Sequence, residues 1–345
     1  MMKKTWAFAA AAALFAAPAA AQNDIQTVCQ GVPVVAAEEC AMVAQAVDAA
    51  QPQLGILMAG GNPTLGTAST GGVRLGMIPR VSLTGRINVI GARLPDIRQE
   101  SEGEAAEFTL PAPAVGANLS VGLTQGFSVA PMIGGFGAID LLGSVSVLPL
   151  ELVGEDFGEN AFSWGAGARV GLMRESFVTP GVSVSVMYRS LSDVSFGTAC
   201  FGTETPSVID PTNPNRRTCL SDGDVGEIKF GLNNWSTRAA ISKRFLGLGL
   251  TAGVGYDRFE TDADLAVAAP VTDAIREVFR FQDVAVDNDR WSAFLDASFT
   301  ILFGSLVAEL GWMQGSDPIE GFPSTSDFDP SEGTFFGSLG ARLSL

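Results

Sequence analysis

Apolar and polar residues alternate along most of this chain. Phe162, Trp164, Ala166, Ala168, Val170 and Leu172 are separated by Ser163, Gly165, Gly167, Arg169 and Gly171. Val182, Val184, Val186 and Tyr188 are spaced by Ser183, Ser185 and Met187. Trp291, Ala293, Leu295, Ala297, Phe299 and Ile301 alternate with Ser292, Phe294, Asp296, Ser298 and Thr300. The same rhythm runs through 81–89, 115–123, 139–147, 248–256 and 306–312. A period of two sorts side chains onto opposite faces of a β-strand, and no helical period fits these segments. A wall between lipid and a polar lumen requires one apolar and one polar face.

The connections alternate in length. Long ones fall near 94–111, 149–160, 192–224, 260–289 and 315–333, and short ones near 174–179, 243–246 and 303–305, while the connection at 124–135 is long for a periplasmic turn. Long loops at one end and tight turns at the other predict an all-β, transmembrane, antiparallel up-and-down β-barrel with its long loops outside. Counting crossings, with weaker strands near 53–59 and 72–78, predicts about twelve strands, with ten and fourteen as the bounds. An even number returns both ends of the wall to the periplasmic side.

The N-terminus reads differently. A short basic start, an apolar run over 5–17 and Ala19-Ala20-Ala21 predict a secretory signal peptide over 1–21, cleaved before Gln22. Residues 22–52 form a periplasmic or plug segment. Its stretch 36–51 is Ala-rich and predicts a short helix ending at Pro52. The barrel occupies 53–345.

Cleavage removes Lys3 and Lys4 and leaves 19 basic against 37 acidic residues, a net charge of −18. Such a chain has no electrostatic footprint for nucleic acid. After the signal, only four Trp and two Tyr remain. Trp164, Tyr188, Tyr256, Trp291 and Trp312 fall at the outer strand ends and predict an aromatic girdle, with Trp235 toward mid-strand. Four cysteines in two local pairs predict the disulfides Cys29–Cys40 and Cys200–Cys219 in an oxidising compartment.

The pattern from Gln53 to Leu345 resembles the bacterial outer-membrane β-barrel superfamily, in its porin-like form, without a specific subfamily. The terminal strand carries the most specific likeness: Phe335, Leu339, Ala341, Leu343 and Leu345 keep one phase. Family members usually close on Phe, where this chain has Leu. The resemblance implies a Gram-negative outer-membrane location, contact with lipid and lipopolysaccharide, and recognition of the last strand by the barrel-assembly machinery. Barrel enzymes of the superfamily use histidine to activate a nucleophile or water. This chain has none, so no enzyme is expected, and neither a cofactor nor a metal.

The inward phase carries the candidate chemistry. Arg80, Arg86, Arg169, Arg189, Lys229, Asp296, Glu309 and Arg342 are predicted to line the lumen, together with Asp140 and Arg238, because charges facing lipid are costly. They either line a pore and select solutes or pair across a narrow barrel and fill it. The acidic stretches 257–289 and 315–333 read as a solvated outer surface. Gly60-Gly61-Asn62-Pro63 and Gly71-Gly72 match no phosphate-loop pattern and read as turns. The expected function is a passive channel for small solutes. The alternatives are a closed interaction barrel and a plugged transporter of hydrophobic compounds.

Overall fold

The computed structural model describes residues 25, 27–33, 36–73, 78–97, 107–128, 134–150, 160–197, 208–209, 217–220, 226–272, 275–301, 304–322 and 327–344. The signal-peptide region therefore lies outside the described residues, as does Cys200.

Ten strands close into an antiparallel barrel. They are β1 (Val81–Pro95), β2 (Glu107–Gly122), β3 (Ala138–Leu148), β4 (Ala161–Met173), β5 (Gly181–Phe196), β8 (Gly226–Phe245), β9 (Leu248–Thr272), β10 (Ile275–Ile301), β11 (Gly304–Met313) and β12 (Thr334–Ser344). Two short pieces, β6 (Val208–Ile209) and β7 (Arg217–Leu220), add to the far end of β10. Each barrel strand pairs with its neighbour, and β1 closes on β12 from Ser82↔Ser344 to Ile90↔Phe336.

Among the described residues the barrel has ten strands, not about twelve. Residues 53–59 are helical rather than extended. One helix, α1, runs Ala37–Ala59 and passes straight through Pro52. Proline lacks the N–H that would bond the carbonyl four residues back, which frees the Asp48 carbonyl. The Asn288 side-chain amide reaches that carbonyl at 3.5 Å. Tertiary packing thus overrides the proline stop. Of 72–78, the described residues form no strand beyond a single bridge, Val73↔Pro79.

Helix α1 lies inside the barrel, buried on every side. Uniform burial suits its sequence, in which apolar residues are spread round the helix rather than gathered on one stripe. Glu38 and Glu39 occupy its first turn, where negative charge complements the helix dipole. Cys29 and Cys40 form a disulfide that ties the preceding 3-10 turn, Val28–Gly31, to it. The helix ends at Gly60, whose φ of 59° lies in the left-handed region. A Cβ there would sit 1.8 Å from the Arg86 guanidinium, so only glycine fits. From Gly60 an irregular strap, with a turn over 63–66, runs along the lumen to Gly72, next to the start of β1.

The described residues of the stretch 260–289 are strand, not loop. β9 and β10 continue as a paired ribbon through it, from Asp262↔Ala285 to Ala269↔Glu277. Its acidic residues alternate with buried ones: Thr261, Ala263 and Leu265 face inward, while Asp262 and Asp264 are exposed.

Candidate functional site: the plugged lumen

The lumen has two storeys. In the storey nearer the tight turns, inward residues of the wall are mostly polar and grip the strap, with Phe294 and Val307 packed on Gly61 and Gly66. Glu309 on β11 accepts the backbone N–H groups of Gly61 (3.0 Å) and Asn62 (2.6 Å), the Ser338 hydroxyl (2.8 Å) and the Arg86 guanidinium (3.0 Å). Arg86 on β1 also donates to the Asn62 carbonyl at 3.1 Å and to Asn88. Asp296 on β10 accepts the Asn62 side chain (2.7 Å) and the Gly66 N–H (2.9 Å). Asp140 on β3 pairs with Arg169 on β4 at 2.6 Å and accepts the Gly71 N–H at 3.0 Å. Arg238 bridges the Gly61 carbonyl (2.9 Å) and Asp257 (2.8 Å), and Arg342 donates to the Leu65 carbonyl (2.8 Å). A strap with no secondary structure leaves its backbone groups unpaired. These wall side chains pair them, and the strap in turn fills the space between the charges.

In the storey nearer the long loops, the wall turns apolar toward the helix. Ile90, Ala92 and Leu94 of β1, Ile228, Phe230 and Leu232 of β8, Phe259, Ala263 and Leu265 of β9, and Val284 and Val286 of β10 are buried against it. Glutamines, an asparagine and the buried Asp48–Arg290 ion pair (3.5 Å) handle the remaining polar groups. Gln53 donates to and accepts from the Arg93 backbone at 2.7 and 2.9 Å, above the level where β12 stops pairing with β1. Its amide stands in for the missing strand at that open edge. Gln51 does the same for the Val286 carbonyl at 2.8 Å, and Gln45 accepts the Ile319 N–H at 2.8 Å.

The sequence-predicted residues therefore separate. Arg86, Arg169, Asp296, Glu309 and Arg342, with Asp140 and Arg238, surround the strap. Arg189 is buried on the same face and donates to Ser236 at 2.8 Å and to the Met187 sulfur. Arg80 is exposed at the turn-end mouth. Lys229 is not inward: its side chain is 53% exposed and pairs with Asp193 at 3.3 Å. β8 keeps one phase from Gly226 to Ser242, so Lys229 and Arg238, an odd number of residues apart, face opposite ways. The polar face is the outer one at that height.

Trp164 meets Tyr188 edge-on at 5.8 Å, and Tyr188 meets Trp235 at 5.1 Å. Trp235, midway along β8, thus joins the aromatic row. Tyr256 meets Trp291 at 5.1 Å, and Trp291 and Trp312 are exposed outward. Below this row the outward positions form an apolar belt that includes Leu295, Leu310 and Leu339.

Sequence reasoning missed Asn62, Gln51, Gln53 and Asn288. The signal for the strap was present: 60–72 is a neutral run of small residues, rich in Gly, Thr and Ser, with no period. Such a run threads through a crowded lumen because it brings backbone donors and little bulk.

No protein-family model matches the chain, and no curated protein does. Solved structures do. It is similar to the outer membrane protease OmpT from Escherichia coli at 11% identity, over 77% of this chain and 96% of that one, with a TM-score of 0.35. The likeness to the translocator domain of the autotransporter NalP from Neisseria meningitidis is 13% identity over 88% and 98%, with a TM-score of 0.33. That to a TodX monoaromatic hydrocarbon channel is 12% over 77% and 89%, with a TM-score of 0.27. The likeness is to bacterial outer-membrane β-barrels. A protease and a hydrocarbon channel both appear among them, so no activity transfers. Function has to be argued from the lumen.

Proposed function

We propose that this protein is a plugged outer-membrane barrel that admits a small hydrophobic compound beside helix α1 and passes it on by shifting the plug. The carrying observation is an apolar cleft between the helix and the wall. Leu54 and Leu57 of the helix face Ile90 and Leu94 of β1, Leu148 of β3 and Phe230 of β8, and among its lining residues only Gln53 has a polar side chain. The cleft lies above the lowest part of the described wall, where β3 stops at Leu148 and β4 starts at Ala161 while β2 and β5 continue. Its free space is about 40 Å³, room for only a few waters where one needs roughly 10–15 Å³. A ligand therefore enters only as the helix gives way.

The outward belt and its aromatic row favour a lipid setting, because an apolar surface of this extent is not left in water. In this reading the belt meets lipid and lipopolysaccharide, and β12 is the strand that the barrel-assembly machinery reads. The reading is non-catalytic and rests there on the histidine-free chain. An open porin-like pore requires the strap and helix to leave the lumen, which separates the two readings by experiment. In planar bilayers the intact protein is expected to give no step conductance, and cells expressing it should take up a radiolabelled short alkane. Leu57→Trp, which fills the cleft, should abolish that uptake. Uptake equal to that of cells lacking the protein would sink the proposal, and a steady step conductance would restore the open channel.

A further inference from the structure

The turn end of the lumen opens into a cavity of about 630 Å³ that neither the strap nor the wall fills. Its lining combines Arg80, Arg174, Arg244 and Arg342 with hydroxyls such as Ser82 and Ser120. None of these four arginines has a carboxylate within ion-pair distance among the described residues. Arg174 donates to the Gln125 carbonyl and Arg342 to the Leu65 carbonyl, both neutral acceptors, and the Arg174 Nε is buried without a partner. Arg169, also on the lining, is already paired with Asp140. Glu175 is the one acidic lining residue, and it accepts the Arg244 backbone N–H. Lys243 adds another positive charge close by, on the carbonyls of Ser176, Phe177 and Thr179. The undescribed segments that join strands at this end, 74–77, 129–133 and 302–303, contain no Asp or Glu.

This concentration of unpaired cations occurs in a chain of net charge −16. Like charges held together repel one another, and a mouth walled by protein focuses their field. Guanidinium groups around an open space with serine and threonine hydroxyls are suited to forked hydrogen bonding of oxyanions. We infer that the turn-end vestibule is a binding site for a small polyvalent oxyanion, such as a polyphosphate or a polycarboxylate. It lies at the opposite end of the lumen from the apolar cleft and does not depend on it.

Arg80 and Arg244 carry the test, because their guanidinium groups make no hydrogen bond among the described residues and their loss leaves the strap contacts in place. The purified full chain, in a non-ionic detergent, is titrated by calorimetry with tripolyphosphate and, separately, with citrate. Saturable one-to-one binding of either is expected, at least tenfold weaker in the Arg80→Gln/Arg244→Gln double variant. It should be unchanged in Lys229→Gln, a charge removed at the other end. Binding of tripolyphosphate alone would assign phosphate oxyanions, and binding of citrate alone carboxylates. No saturable heat with either anion, or equal affinity in the double variant, would overturn the inference.

Discussion

Below the aromatic row the wall wears its apolar side chains outside and its polar ones inside; above the row it wears them the other way round. β9 shows the change within one strand. Leu250 and Val254 face out and Thr251 and Asp257 face in; then Phe259, Ala263 and Leu265 face in while Asp262 and Asp264 face out. β1 changes after Asn88, where Ile90 and Leu94 succeed Thr84 and Arg86 on the inner face. In β1 and β9 the strand period does not alter, so the reversal there records what lies on each side. Outside, a belt suited to lipid gives way to an acidic surface suited to water. Inside, a polar strap gives way to an apolar helix. The two halves of the plug are matched to the two halves of the wall, and each is held by different physics.

That contrast can be broken most severely from below. Glu309→Ala removes the acceptor for two strap N–H groups and leaves the Arg86 guanidinium buried without a carboxylate. Breaking a buried pair from one side costs about 3–5 kcal/mol. Denaturant unfolding should show a loss of that order, with cleavage by added protease appearing within 60–72. A loss below about 1 kcal/mol would mean that the strap is not held by charge. In the upper storey the equivalent damage is steric. A Cβ at Gly55 would lie 2.1 Å from the Phe259 ring, so Gly55→Leu should cost about 1–3 kcal/mol by overpacking. Combining it with Phe259→Ala should recover part of the loss, and strict additivity of the two would refute the contact.

Smaller effects follow at the seams. Asn288→Ala deprives the Asp48 carbonyl and the Gln51 amide oxygen of a donor and should cost about 1 kcal/mol in the unfolding midpoint. The smallest belongs to the outer surface, where Arg93 pairs with Glu107 and Glu332. Hydrogen bonding from Arg93 holds the Glu107 carboxyl below its ordinary value. A depressed carboxyl contributes stability that is present above its unfolded pKa and is lost as pH falls through the folded one. Arg93→Gln should therefore lower stability by under about 1 kcal/mol at neutral pH, and the difference from wild type should vanish in acid.

The barrel was legible because alternation is local: five or six residues suffice to reveal a face, and 162–172 or 291–301 do so unaided. The ten-strand count was not, because residues 53–59 carry no period that separates a buried helix from a buried strand. Lys229 was misplaced by assuming that polar means inward along the whole strand, whereas the rule reverses with the surroundings. The acidic ribbon was hidden for the same reason: charge was read as loop, although Phe259, Thr261, Ala263 and Leu265 keep the strand rhythm through it. The clamp around Glu309 joins residues more than two hundred positions apart, and pairings of that kind follow only from closure of the barrel.

The reversal and the plug meet in one measurement along β9. Single-cysteine variants at Leu250, Val254, Asp262, Ala263, Asp264 and Leu265 are treated, in proteoliposomes, with a water-soluble maleimide that does not cross lipid. Labelling is expected at positions 262 and 264 alone, with lipid shielding 250 and 254 and helix α1 shielding 263 and 265. Labelling of 263 and 265 as fast as of 262 and 264 would show a water-filled interior, and would contradict the plugged barrel.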